Sequence, residues 1–160
     1  MRALKVKTKD VIFIITLIIA IIFIVIFSTD RQVKLSNNPE MVDFKVIKNK
    51  YFIQYHPKLK SSLERPSNIT VFMQIHRDHL SEAEMGEIQQ RLVADGWREV
   101  EHNDNYFAYC LNKNQLLSIL SPIVKELKTI EGKIIHNEDI DSWSIGFYAN
   151  KNGISSCQKA

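Results

Sequence analysis

The sequence predicts an α+β protein: an N-terminal transmembrane helix, then a small domain with a mainly antiparallel sheet and two helices packed on one face. Three observations carry this expectation. Residues 11–27, VIFIITLIIAIIFIVIF, contain no charge, glycine or proline. Several later segments alternate apolar and polar residues between turn signals. Two others carry apolar residues at helical spacing behind capping side chains.

The N-terminal run comes first. Its seventeen residues rise about 26 Å as a helix, and Ser28 and Thr29 add what a hydrocarbon core of about 30 Å needs. Nine of the seventeen are isoleucine, a strand former in water. In lipid an isolated strand leaves its backbone unpaired, so helix wins. A soluble core helix keeps a polar stripe, and only Thr16 interrupts this one. The positions before residue 30 offer no good small-x-small cleavage site, so the run reads as an uncleaved signal anchor. Arg2, Lys5, Lys7 and Lys9 precede it, which places the N-terminus in the cytoplasm and the domain across an inner membrane, in the periplasm. The division is a basic tail at 1–10, an anchor at 11–29, a linker at 30–40 and an exported domain at 41–160. Thr16 and Ala20, one turn apart, are the candidate contact for a homodimer through the anchor.

Composition narrows the partners. Of 21 basic and 18 acidic residues, the first ten positions hold four and one, leaving seventeen of each beyond them. The exported part is neutral, so the basic balance belongs to the tail and nucleic acid is not an expected partner. Cys110 and Cys157 both follow the anchor, and in an oxidising compartment they are candidates for a disulfide.

The domain is expected to open with two strands, at MVDFKV (Val42, Phe44 and Val46 inward) and YFIQYH (Tyr51, Ile53 and Tyr55 on one face). PKLKSSLERPSN reads as a surface loop. ITVFMQIH is the strongest core strand, with Ile69, Val71, Met73 and Ile75 on one side. A helix follows: Ser81 and Glu84 form a capping box, Leu80 and Met85 a hydrophobic staple, and Met85, Ile88 and Leu92 its buried stripe. Gly96 sits where a left-handed residue ends a helix, with Trp97 folding back on Leu92. WREVEH and YFAYCL form a hairpin. A second helix is expected from Asn112 and Gln115 onward through Leu116, Leu117, Leu120, Val124 and Leu127, broken at Pro122 and ended by Gly132. KIIH and SWSIGFYA close the domain as strands.

Chemistry is sparse. His76, Asp78 and His79 form the sharpest cluster, and with Glu82 nearby they are the candidate ligands for zinc. Their spacing spans a strand end and the start of a helix, not one helical face. His56, His102 and His136 end predicted strands and, gathered with His76, would make a pH-responsive cluster. No glycine-flanked nucleophile or phosphate-cradling loop is present. The sequence implies no cofactor, no resident metal and no catalytic residue. Tyrosines are the clearest recognition signal. Tyr51, Tyr55, Tyr106, Tyr109 and Tyr148 fall on both strand parities, so some should leave the helix-covered face and offer contact area to a partner.

The expected function is therefore a single-pass, membrane-anchored periplasmic module, not an enzyme, that binds another envelope or exported protein. Immunity proteins and envelope-assembly factors share that layout. The alternatives are a small metal-dependent hydrolase using His76, Asp78 and His79, and a membrane sensor of pH or redox state.

Overall fold

A computed structural model describes residues 41–128, 134–137 and 139–158. The expected anchor, its basic tail, the Thr16–Ala20 contact and the linker lie outside the described residues. Among those described, no helix is long and apolar enough to cross a membrane.

The domain is α+β, built on one six-stranded antiparallel sheet. In chain order the strands are β1 (Lys58–Glu64), β2 (Asn68–His76), β3 (Arg98–Asn103), β4 (Tyr106–Asn112), β5 (Gln115–Leu120) and β8 (Ser142–Asn150), arranged β1-β2-β8-β5-β4-β3. Between β5 and β8 the chain leaves the sheet to form a small hairpin, β6 (Glu126–Lys128) with β7 (Ile134–His136). The helices are α1 (Phe44–Ile47), α2 (Glu82–Ala94) and a short C-terminal α3 (Ser155–Gln158).

Register assigns each residue a face. Val71, Phe147, Leu117 and Tyr109 stand side by side across four strands, and Met73, Ile145, Ile119 and Phe107 form the next row. These rows pack against Met85, Ile88 and Leu92 of α2 and against Ile47, Tyr51, Phe52 and Tyr55 of the N-terminal segment, making one core. The indole N–H of Trp143 donates to the Leu80 carbonyl at 2.8 Å, fixing the start of α2 to the sheet.

α2 forms as its sequence dictates. The Ser81 hydroxyl accepts from the Glu84 N–H, and the Glu84 carboxylate accepts in return from the Ser81 N–H at 2.8 Å. The Ser81 hydroxyl also donates to that carboxylate at 2.7 Å, and this bond, then the one from the Ser81 N–H, holds the Glu84 carboxyl below the usual carboxylate range. At the other end Trp97 N–H reaches the Leu92 carbonyl and Gly96 N–H the Val93 carbonyl, each at 3.0 Å, while Gly96 takes φ 92°. That is the left-handed closure in which glycine has no Cβ to strain.

Three expectations are corrected. Residues 44–55 are helical, so 42–55 is not a hairpin: α1 runs into a π-type turn (Lys48–Phe52) and a 3₁₀ turn (Ile53–Tyr55). Ile47, Tyr51 and Tyr55 point inward at a spacing of four, whereas Val46 and Ile53 are exposed. The expected loop at 57–68 contains β1, an edge strand exposed along its whole length with a bulge between Leu59 and Ser61. The second helix is β5, a central strand apolar on both faces. Asn112 turns the chain instead of capping a helix, its side-chain oxygen accepting from Asn114 N–H at 2.8 Å. Of the two helices expected on one face, α2 is present, and the N-terminal helical segment takes the other's place.

Candidate functional site

The opposite face of the sheet lacks α2 and its core, and carries only the short α3 at one edge. Its central row reads Phe72, Gly146, Ser118, Ala108, and its neighbour Gln74, Ser144, Leu120, Tyr106. Small residues therefore occupy the middle, with aromatics at the margins. Phe72 stands edge-on to Tyr148 at 5.5 Å, and Tyr106, Ala108 and Leu120 make a small apolar cluster with Val100, Leu116 and Val124 packed on it. A Cβ on Gly146 would come within 2.7 Å of Ser118 Oγ and 2.9 Å of the Tyr148 ring. The missing side chain is what lets Tyr148 lie over its own strand.

Two hollows open on this face, both lined by Tyr106 and Tyr148. The larger, about 600 Å³, runs from Phe72, Gln74, Ser118 and Ser144 to Lys60 on one side and to His136, Asn137 and Asp139 of the β7–β8 connection on the other. The smaller, about 280 Å³, lies between Ala108, Leu116 and the C-terminal residues Ile154, Ser155 and Ser156. A disulfide holds that tail in place: Cys110 and Cys157 are bonded, with Cα atoms 5.6 Å apart. Arg98 adds a hydrogen bond to the Cys157 carbonyl at 3.1 Å.

The floor of the larger hollow carries a polar relay. Gln74 Nε2 donates to Ser144 Oγ at 3.4 Å, and Ser144 donates to Asn137 Oδ1 at 3.2 Å. The two ends of this relay, Gln74 Oε1 and Asn137 Nδ2, are buried and make no hydrogen bond. Burial pushes the Tyr148 hydroxyl above its ordinary pKa, with a Ser118 hydrogen bond opposing it in part. It remains a neutral donor at physiological pH.

The five tyrosines divide by face. Tyr106 and Tyr148 line the hollows. Tyr51, Tyr55 and Tyr109 belong to the helix-side core, which removes them from the contact surface expected of them; Tyr106, 7% exposed, is as buried as Tyr55 and presents only its edge to the hollows. The Tyr51 hydroxyl donates to Asp95 Oδ2 at 2.6 Å, and Tyr109 donates to Glu99 at 3.0 Å. Burial first, then the carboxylate, raises both hydroxyl pKa values. The sequence reading missed Phe72, Gly146, Ser118 and Asn137. Phe72 had a signal, since it lies on the opposite parity of β2 from Val71 and Met73.

The histidines separate too. His79 stacks edge-to-face with His56 at 5.5 Å and with His76 at 6.3 Å between ring centroids. His102 lies on Phe107 beside Glu99, and His136 pairs with Glu126. The cluster expected from His56, His76, His102 and His136 is thus His56, His76 and His79. Among the described residues no three His, Cys, Asp or Glu side chains stand ready to hold a metal ion.

No family model, no curated protein and no solved structure matches this chain.

Proposed function

We propose that the domain is a protein-binding module, held to an inner membrane by residues 11–29, whose sheet face opposite α2 engages another envelope or exported protein in the periplasm. The observation that carries the reading is the composition of that face: two hollows sharing Tyr106 and Tyr148, aromatic at the margins and small along the centre. Rigid aromatic side chains beside a concavity are the usual anchors of protein recognition. The Cys110–Cys157 bond fits an oxidising compartment.

Photo-crosslinking from intact membranes tests this. A crosslinker replacing Phe72, on the face opposite α2, is expected to trap one defined protein. The same probe at Val93, 54% exposed on α2 against 38% for Phe72, is expected to trap none. Equal labelling from both positions, or none from Phe72, rejects the assignment of the face.

A further inference from the structure

We infer that the hollow bounded by His56, His76 and His79 binds a tetrahedral oxyanion, a sulfate or phosphate group, in acid and releases it near neutral pH. The site lies beside the proposed protein-binding face and does not depend on that reading. Three separate pieces of chain bring the imidazoles together: the residue after the 3₁₀ turn, the last residue of β2, and the turn leading into α2. His79 is central, its ring centroid 5.5 Å from that of His56 and 6.3 Å from that of His76. Lys58 and Lys60 line the same hollow of about 200 Å³. Ser142, 4% exposed and paired with His76 across β2 and β8, lines it from within the sheet.

The side chains present are donors. The Asp78 backbone N–H donates to His76 Nδ1 at 3.3 Å, so the neutral ring carries its proton on Nε2, and that nitrogen donates in both charge states. Lys58 and Lys60 each add an ammonium with three donors on a flexible stem. Donors from separate pieces of chain suit an anion with four oxygens better than a planar carboxylate with two. His56 has φ 53° and ψ 54°, a left-handed conformation, immediately before Pro57. Non-glycine residues seldom adopt it, and a following proline ordinarily drives its predecessor to extended backbone. Strain of that kind accumulates where a side chain is held for a purpose.

Charge sets the pH dependence. With neutral imidazoles, Lys58 and Lys60 are offset by Asp139 in the lining and by Asp78 beside His76. Arg77 and Asp141 pair with each other at 3.7 Å and leave that balance unchanged. Imidazoles ordinarily take up a proton between about pH 7 and pH 5, so acid turns the balance positive. Asp78 answers only one of the new charges, its Oδ2 lying 3.3 Å from His76 Nδ1. Among the described residues, His56 and His79 have no ion-pair partner. Cations at these ring separations repel one another. A bound dianion relieves the repulsion, so anion binding and proton uptake favour each other.

The test uses the full-length chain in an uncharged detergent, purified through a histidine-free tag. Sulfate, which keeps its charge across the range, is titrated by calorimetry at about pH 5.5 and about pH 7.5 and at constant ionic strength. One equivalent is expected to bind at the lower pH with a Kd below about 1 mM, and at least about tenfold more weakly at the higher. Nitrate at equal ionic strength should find no such site. His79→Gln and His56→Asn, which keeps a residue tolerant of left-handed backbone, should each remove most of the pH dependence, and Lys60→Gln should weaken binding at the lower pH. Their sulfate-free melting should match the parent's. His102→Gln removes an imidazole elsewhere and should change nothing. At the lower pH, binding of inorganic phosphate but not methyl phosphate assigns the site to a free ion, and binding of both assigns it to the group on a larger molecule. Absence of a stoichiometric site at about pH 5.5, equal affinity at the two pH values, or equal weakening by His102→Gln overturns the assignment.

Discussion

Removing the Cys110–Cys157 crosslink is expected to destabilise the domain by about 4 kcal/mol. The bond closes a loop of 47 residues, and the chain-entropy relation for that length gives about 4 kcal/mol at room temperature. The native state holds the tail by other means as well. Ile154 N–H bonds the Lys113 carbonyl at 2.8 Å and Arg98 bonds the Cys157 carbonyl. The loss therefore acts mainly by releasing the unfolded chain. Because both cysteines are almost wholly buried, 2% and 4% exposed, reductant reaches them slowly, and variants are the cleaner perturbation. Cys110→Ala, Cys157→Ala and the double variant should each lower the urea midpoint by roughly 2 M, taking a slope of about 2 kcal/mol per molar. Against a total of about 5–15 kcal/mol for a domain, that is a large fraction. The reasoning fails if the double variant loses less than about 1 kcal/mol. It also fails if Cys110→Ala costs several times what Cys157→Ala costs, since packing at β4 would then be the cause.

Ser81→Ala should cost about 1 kcal/mol by urea denaturation at neutral pH. Glu84 and Asp95 have depressed carboxyl pKa values, from the Ser81 hydroxyl bond and the Tyr51 hydroxyl bond respectively. Their contributions are present above the ordinary carboxylate range and lost as pH falls below it, so the effect of Ser81→Ala should shrink in acid. Tyr51→Phe should cost about 1.5 kcal/mol, the typical value of a hydrogen bond to a charged group, with Lys50 still 2.9 Å from Asp95; an unchanged urea midpoint would show that bond to be dispensable. Gly146→Ala should displace Tyr148, destabilise the domain by about 1–3 kcal/mol and abolish crosslinking from Phe72. Ile123 has φ 77° and is 68% exposed, so Ile123→Gly should relieve backbone strain and raise stability by about 1 kcal/mol, read as a higher urea midpoint.

Legibility followed how local the determining interaction is. α2 could be read to the residue because its caps involve positions within five of one another. β2 was legible because one buried face imposes alternation, whereas β4 and β8, buried on both faces, were legible from the turn residues that bound them. The N-terminal helical segment was misread since Tyr51 and Tyr55 satisfy a period of two as well as a period of four, and Ile47 breaks the tie only once its burial is known. β1 has no buried face, so no pattern marks it. β5 is apolar on both faces, which erases alternation and leaves leucines that fit a helix equally well. The candidate face suffered from the same gap. Parity showed that the tyrosines must divide, but which side takes α2 depends on sheet order, a property of non-local pairing that no short window contains.

The sidedness of the sheet links its packing to its proposed use. On the helix side the two central rows are filled by large residues: Val71, Phe147, Leu117 and Tyr109 in one, Met73, Ile145, Ile119 and Phe107 in the next. On the other side the corresponding central positions are Gly146, Ser118 and Ala108. A glycine inside a strand weakens it by about 0.5–1 kcal/mol, and here the space is occupied by the ring of Tyr148. That ring is confined by its own strand below and by Phe72 at its edge, so it has little rotamer freedom left to lose on association. Ordering an exposed side chain at an interface costs about 0.5–1.5 kcal/mol. A tyrosine already fixed between two hollows avoids most of that cost, so affinity for a partner should depend on Gly146 as strongly as on the aromatic residues the partner touches.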